Sequence, residues 1–213
     1  MNANNRENAA TRPRKAELRR KMHDLMEALP PIEHRRMSLA ASACLMASPL
    51  WQRAKTLYLF ANLGQEIDTK PLLRAAWQEG KTVCLPKCRK GQPGYMDFWP
   101  CSSMDDLAPG TMGILEPVLP LGGSAAPLAN PAPDMVIFPV LACSPQGNRL
   151  GYGGGYYDRF FADHSFPRSV FVAFCLGVQL VQSLPQDPWD ICVAHICTEK
   201  GLVLATGHGK ETR

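Results

Sequence analysis

Met135-Val136-Ile137-Phe138-Pro139-Val140-Leu141 leads through a short polar segment into Gly147-Asn148-Arg149-Leu150-Gly151-Tyr152-Gly153-Gly154-Gly155-Tyr156-Tyr157-Asp158-Arg159-Phe160, and this stretch decides the fold. The opening run is wholly apolar, as in a strand buried on both faces, and Pro139 marks where that strand should end. Four glycines then fall within five positions, ahead of a segment that can begin a helix. Glycine lets the backbone approach a ligand closely, and loop N–H groups at a helix N-terminus converge on an anion. Arg149 and Arg159 bracket the loop with positive charge, and Asp158 offers a hard oxygen ligand for a divalent cation. The stretch reads as a site for a phosphate and its metal.

Outward from it, strand and helix signals alternate. Leu18, Met22, Leu25 and Leu29 recur at helical spacing, with Pro13 suited to the first turn. Further helices are expected at 33–46 and 69–78, and further strands at 56–60, 81–85, 95–99, 169–175 and 191–196. Apolar strands separated by helices imply an α/β fold: three α/β/α layers around a mostly parallel, Rossmann-like sheet. Ligands of such sheets bind at the carboxyl ends of the strands, which is where the glycine loop falls. One domain is expected over residues 13–204, with a disordered tail at 1–12, a C-terminal tail at 205–213, and a Gly-, Ala- and Pro-rich irregular excursion at 122–133.

Composition narrows the function classes. The chain has 213 residues, 46% hydrophobic and 20% charged, and a net charge of +4 that suits small anionic substrates but is too weak to argue for nucleic acid. No apolar run approaches the ~20 residues of a membrane span. The first 14 residues lack the apolar core of a secretory signal. Eight scattered cysteines form no C-x-x-C pair and read as reduced, buried thiols in a cytoplasmic protein. The loop is no Walker motif, because Lys followed by Ser or Thr is missing. It is no dinucleotide fingerprint either, because Tyr156 occupies the third glycine position.

The run Arg149 to Arg159 resembles, without a gap, the signature loop of the 5-formyltetrahydrofolate cyclo-ligase family, also called methenyltetrahydrofolate synthetases. The likeness extends to Lys15 and Arg19, Gln65-Glu66-Ile67-Asp68-Thr69, Leu85-Pro86, Gly113-Ile114-Leu115-Glu116-Pro117, and Pro185, Asp190 and Thr198-Glu199. It departs where relatives often carry Phe-Asp (here Cys143-Ser144), an acid (Ala194) and a strand-end tyrosine (Phe60). Lys15 and Arg19 share one helix face, which alone is most often a solvated basic face. The resemblance makes them holders of ATP phosphates, together with Arg149, Leu150, Gly151, Tyr152, Gly153, Gly154, Gly155, Tyr156 and Tyr157. It makes Glu66 the acid that anchors the pterin edge, with Ala61, Tyr152, Gly153, Gly154, Gly155 and Tyr156 lining the folate pocket. Asp158 and Asp190 become the Mg²⁺ ligands. Asp68 and Thr69 are read as helix caps, and His195 as structural.

The activity so implied is ATP- and Mg²⁺-dependent cyclisation of 5-formyltetrahydrofolate, mono- or polyglutamylated, to 5,10-methenyltetrahydrofolate, ADP and phosphate. It passes through a phosphorylated formyl group, an iminium phosphate, with Arg149 and Tyr156 at the reacting centre. The expected enzyme is a monomeric cytoplasmic ligase of one-carbon metabolism, with no nucleic-acid or membrane partner. The alternative is a non-catalytic module on the same fold that binds nucleotide or folate for regulation.

Overall fold

A computed structural model describes residues 3–119 and 132–207. In chain order these form α1 (Ala3–Glu27), α2 (Pro31–Met46), α3 (Pro49–Arg53), β1 (Thr56–Tyr58), α4 (Lys70–Gln78), β2 (Thr82–Cys88) and β3 (Met96–Cys101). There follow β4 (Leu107–Pro109), β5 (Leu115–Pro117), β6 (Met135–Pro139), β7 (Ala142–Cys143), β8 (Arg149–Leu150), α5 (Tyr156–Asp163), β9 (Val170–Phe174), β10 (His195–Thr198) and β11 (Gly201–Leu204). A seven-stranded sheet runs β11-β10-β9-β6-β1-β2-β3. Its five inner strands are mutually parallel, and only the edge strands β3 and β11 run antiparallel. The mostly parallel α/β sheet read from the sequence is the one observed.

Alternation along the inner strands sorts the core into two faces. Leu57, Leu59, Val83, Leu85, Met135, Ile137, Val172 and Phe174 point one way, onto Leu45 of α2, Trp51 of α3 and Leu72 and Leu73 of α4. Tyr58, Cys84, Val136, Phe138, Ala173 and Cys175 point the other way, onto Phe160 and Phe161 of α5. Apolar groups on both sides of a strand explain why the sequence shows continuous rather than alternating apolar runs. The second face is unusually aromatic. Phe138 alone packs its ring 5.3, 5.2 and 5.1 Å from Tyr157, Phe161 and Phe171.

Several expectations are corrected. Helix α1 begins at Ala3, so the segment 3–12 is not an irregular tail, and Pro13 lies inside the helix rather than in its first turn. Pro13 forfeits its own amide bond and crowds the carbonyl one turn earlier, a cost set against the docking of the rest of α1 through Leu18, Met22 and Met26. The buried line of α1 is Leu18, Met22 and Met26, while Leu25 is exposed and Leu29 lies beyond the helix. The strand expected at 191–196 is shifted to β10, because the Ile191 and Val193 amides are taken by Asp158 Oδ1 (3.0 Å) and Gly147 O (2.8 Å). Edge strand β11 was not foreseen. The chain stays anchored past 204, since the Ala205 and Thr206 amides bond Ala194 O and Pro145 O at 2.8 Å. Most of the 122–133 excursion and all of 208–213 lie outside the described residues.

Because β1 and β6 are parallel neighbours, the segments that follow them leave from one edge of the sheet. The first carries Ala61 and Glu66, and the second carries the glycine loop. Between β6 and that loop, β7 and β8 form a short ribbon pairing Cys143 with Arg149. Helix α1 closes over the ribbon by packing Leu18 and Met22 on Leu141, Ala142, Leu150 and Leu184. Ile137, fully buried in the central strand, sets the scale of this packing. Ile137→Ala should lower unfolding free energy by about 2–5 kcal/mol in urea titrations, with an unchanged slope.

Candidate functional site at the carboxyl edge of the sheet

The glycine loop ends at Gly155, whose φ of 68° is the left-handed conformation that turns the chain into α5. Gly154 answers a different need: a Cβ there would stand 2.6 Å from the Tyr156 ring, which lies against the loop backbone. The Arg19 side chain flanks Gly153, and its Nε donates to Gly151 O at 2.9 Å. One helical face of α1 is thereby fixed to the loop. Arg159 fastens the opposite side, its Nη1 donating to Gly154 O (2.7 Å) and to Gly94 O (3.0 Å) in the β2–β3 turn. Arg159 thus braces the loop, and its charge is spent on carbonyls.

Three carboxylates hold the neighbouring cations Arg149 and Lys15. Arg149 is buried over the Phe138 ring, its guanidinium carbon 4.9 Å from the centroid, and its Nη2 meets Asp158 Oδ1 at 2.5 Å. The same Asp158 oxygen accepts the Ile191 amide, so one acid joins β8, α5 and the 187–191 segment. Lys15 is also buried. Its Nζ donates to Asp187 Oδ2 at 2.8 Å and to Asp190 Oδ2. Asp190 further accepts the Asp187 amide at 2.8 Å. Burial pushes the Asp187 carboxyl up, but the Lys15 and Thr11 hydrogen bonds outweigh it and hold it below its ordinary value. Three cations (Lys15, Arg19 and Arg149) face three acids (Asp158, Asp187 and Asp190), so the site is self-neutralised.

Glu66 stands on the other side of the loop. Its carboxylate accepts the Leu63 amide at 2.8 Å and interacts with the Tyr152 hydroxyl. The glycine loop and the segment after β1 are therefore tied together by one tyrosine. Burial raises the Glu66 carboxyl above its usual value, only partly offset by those two donors. Ala61 is buried at the head of the same segment. Asp68 accepts the Lys70 amide at 3.0 Å as a helix start, as expected. Thr69 does not cap: its hydroxyl donates to Phe60 O at 2.7 Å and pins the segment to the end of β1.

Two buried polar atoms at the base of the loop, Arg149 Nε and Tyr157 Oη, have no partner among the described residues. Leaving such groups dry costs about 1–3 kcal/mol each, which is tolerable at a site that a ligand completes. Asp158 Oδ2 and Asp190 Oδ1 likewise receive no hydrogen bond from the described residues. Among those residues no group of three or more His, Cys, Asp or Glu side chains converges as a metal cage. Two free carboxylate oxygens beside an anion loop fit Mg²⁺, which is commonly held by one or two carboxylates plus phosphate oxygens.

Glu116 works away from this centre. Its Oε1 accepts the Thr111 amide at 3.1 Å, its Oε2 lies 3.8 Å from Lys87 Nζ, and Gly110 leaves it room where a Cβ would come within 2.3 Å. It shapes the β4–β5 turn, and its one link to the centre is the Cys88 thiol, which also contacts the Tyr156 hydroxyl. All eight cysteines are free thiols, and burial pushes Cys84, Cys101, Cys143 and Cys197 up to about 12, so they behave as inert small hydrophobes. Sequence reasoning missed Asp187 and the bracing role of Arg159. The first was legible only as a second acid three residues before Asp190.

The raised Glu66 carboxyl has a measurable sign. An acid held above its unfolded value binds more protons folded than unfolded, so its contribution to stability is full at low pH and lost as pH rises through the raised value. Glu66→Gln should therefore gain stability relative to the parent between pH 4.5 and 7.5, by a Tm difference on the order of 2 °C. Thermal unfolding of the two proteins across that range checks it, and a gap that narrows with pH would contradict it.

The geometry can be set beside known proteins. The family model described as "5-formyltetrahydrofolate cyclo-ligase family" matches residues 11–199. The chain is 32% identical over 171 residues to the 5-formyltetrahydrofolate cyclo-ligase of Escherichia coli (strain K12), covering 80% of this chain and 92% of that one. It is 26% identical over 206 residues to the Mus musculus protein of the same name, covering 90% and 95%. The solved 5,10-methenyltetrahydrofolate synthetase of Aquifex aeolicus superposes with a TM-score of 0.76 at 30% identity, covering 93% of this chain and 96% of that one. With the match running from α1 to the residue after β10 and taking in every part of the loop-centred site, the chain belongs to the 5-formyltetrahydrofolate cyclo-ligase family.

Proposed function

We propose that this chain closes the ring of 5-formyltetrahydrofolate, using ATP and Mg²⁺, to give 5,10-methenyltetrahydrofolate, ADP and phosphate. The observation that carries the reading is the junction at Tyr152. The acid suited to a pterin edge, Glu66, interacts with the Tyr152 hydroxyl of the loop suited to a phosphate, and this nearness of the two supports one joint site. Glu66 Oε1 and Oε2 accept the pterin N3–H and 2-amino donors once Leu63 and Tyr152 yield. Ala61, a small residue at the head of the same segment, is taken to line the folate site beside them.

The formyl group on N5 is an amide, whose oxygen leaves poorly. In the proposed course that oxygen takes the γ-phosphoryl group, giving an iminium phosphate. N10 of the same molecule then bonds to the formyl carbon and gives up its proton to solvent, and the C–O bond breaks to release phosphate with the former formyl oxygen. Arg149 and the loop N–H groups steady the transferring group, and Tyr156 borders the junction between the two substrates. Lys15 and Arg19 hold the outer phosphates. Asp158 Oδ2 and Asp190 Oδ1 are the oxygens offered to Mg²⁺, which supplies charge neutralisation across the phosphates when bound. No side chain is needed as a covalent nucleophile; position and electrostatics suffice.

The unpaired thiols suit a reducing compartment, and the enzyme is taken to be a monomer of the cytoplasm. A relative from Arabidopsis thaliana carries the same family name with the word mitochondrial. The deciding experiment mixes the protein with 5-formyltetrahydrofolate and MgATP and follows the near-ultraviolet absorbance of the methenyl product. A rise requiring protein, ATP and Mg²⁺ is expected. Binding of both ligands without a rise would favour the regulatory module instead. Glu66→Ala should raise KM for the folate roughly 10- to 100-fold with MgATP affinity nearly unchanged, and Asp158→Ala should do the reverse. Steady-state kinetics with each substrate varied separates the two.

A further inference from the structure

Lys15 is the cation most enclosed by acid. Its Nζ reaches two aspartates, and the side chains of Lys15, Asp187 and Asp190 are 10%, 6% and 12% exposed. Only one of the two acids has an oxygen free for other work. Asp190 Oδ2 takes Lys15 and the Asp187 amide, while its Oδ1 accepts no hydrogen bond among the described residues. Asp187 uses both oxygens inward, Oδ2 on Lys15 and Oδ1 on the Thr11 hydroxyl at 2.6 Å. Thr11 and Lys15 lie one turn apart on α1, so Asp187 grips two successive turns of that helix from a segment more than 170 residues away in sequence.

We propose that Asp187 is a positioning residue: it keeps Lys15 aimed into the site when Asp190 turns to the metal, and it docks α1 against the glycine loop while doing so. The inference rests on the MgATP reading given above. In the ligand-free site Lys15 has two partners and no spare charge for a phosphate. Once Asp190 is engaged by a divalent cation its pull on Lys15 falls, and the ammonium is left with Asp187 alone. A single buried partner fixes direction without neutralising twice over. Arg19, one turn further along α1 and bonded to Gly151 O, is carried into register by the same docking. Asp187 touches no reacting atom; it acts through Lys15.

The metal dependence separates this role from plain electrostatics and from plain stability. Removing a negative charge near a polyphosphate should tighten ATP in every form, and a looser fold should weaken ATP in every form. A positioning acid needed only when Asp190 is occupied behaves otherwise. By titration calorimetry on the full chain, Asp187→Asn should weaken MgATP on the order of tenfold while leaving metal-free ATP unchanged or tighter. In a Lys15→Met background the same change should have no further effect on MgATP, because its intermediary is gone. Asp187→Glu, which keeps the charge and shifts it by one methylene, should weaken MgATP in the same sense but less. It also serves if Asp187→Asn does not fold. Equal changes for the two forms of ATP, or effects of Lys15→Met and Asp187→Asn that multiply, would overturn the role of Asp187. Failure of the parent protein to bind MgATP would overturn the functional reading and this inference with it.

Discussion

Charge taken out of water must be neutralised where it lies, and this constraint organises the whole carboxyl edge of the sheet. Arg149 is buried on an aromatic ring and Lys15 in a cleft between a helix and a loop, so each must meet an acid. The acids come from distant segments, Asp158 from α5 and Asp187 and Asp190 from the stretch before β10, and meeting them closes the fold. Asp158 alone fixes three pieces of chain. Satisfying the charges and assembling the site are therefore one event. The same pairs neutralise the buried cations of the ligand-free protein.

A second theme is division of labour among the basic residues. Arg19 and Arg159 direct donors at loop carbonyls and give the glycine loop its shape. Arg149 and Lys15 face carboxylates that have oxygens or alternatives to spare. The guanidinium fork suits the first task because it can serve two carbonyls at fixed angles, as Arg159 does across Gly94 and Gly154. The compact ammonium of Lys15 suits the second, since it can change partners by a small swing of a long stem.

The parallel sheet was legible because its strands are buried on both faces and so appear as unbroken apolar runs. The glycine loop was legible because its spacing excludes the other phosphate loops. The edge strand β11 was not, because Val203 and Leu204 are largely exposed and follow a glycine, leaving no period to read. The shifted start of β10 was invisible for a different reason: Ile191 and Val193 look like strand residues, but their amides are claimed by Asp158 and Gly147, contacts set by tertiary structure. Helix α1 misled through its proline and through a face turned by one position, from Leu25 to Met26. Lys15 and Glu66 entered through family likeness, since a basic pair on a helix and an acid before a cap carry no chemistry by themselves. Asp187 remained hidden because its importance lies in partners more than 170 positions away.

The two faces of the sheet are covered unequally. Three helices and the end of α1 lie on one, while the other relies on aromatic rings beneath α5, the single helix packed there among the described residues. That helix also opens with Tyr156, Tyr157 and Asp158. The roof of that face and one wall of the candidate site are thus the same eight residues. The three-helix side is free to exchange one apolar residue for another, each swap absorbed by neighbours with no part in catalysis. On the α5 side any change that resettles the rings also moves the glycine loop that leads into the helix. Sequence divergence among descendants of this protein should accumulate on one side of the sheet and stall on the other.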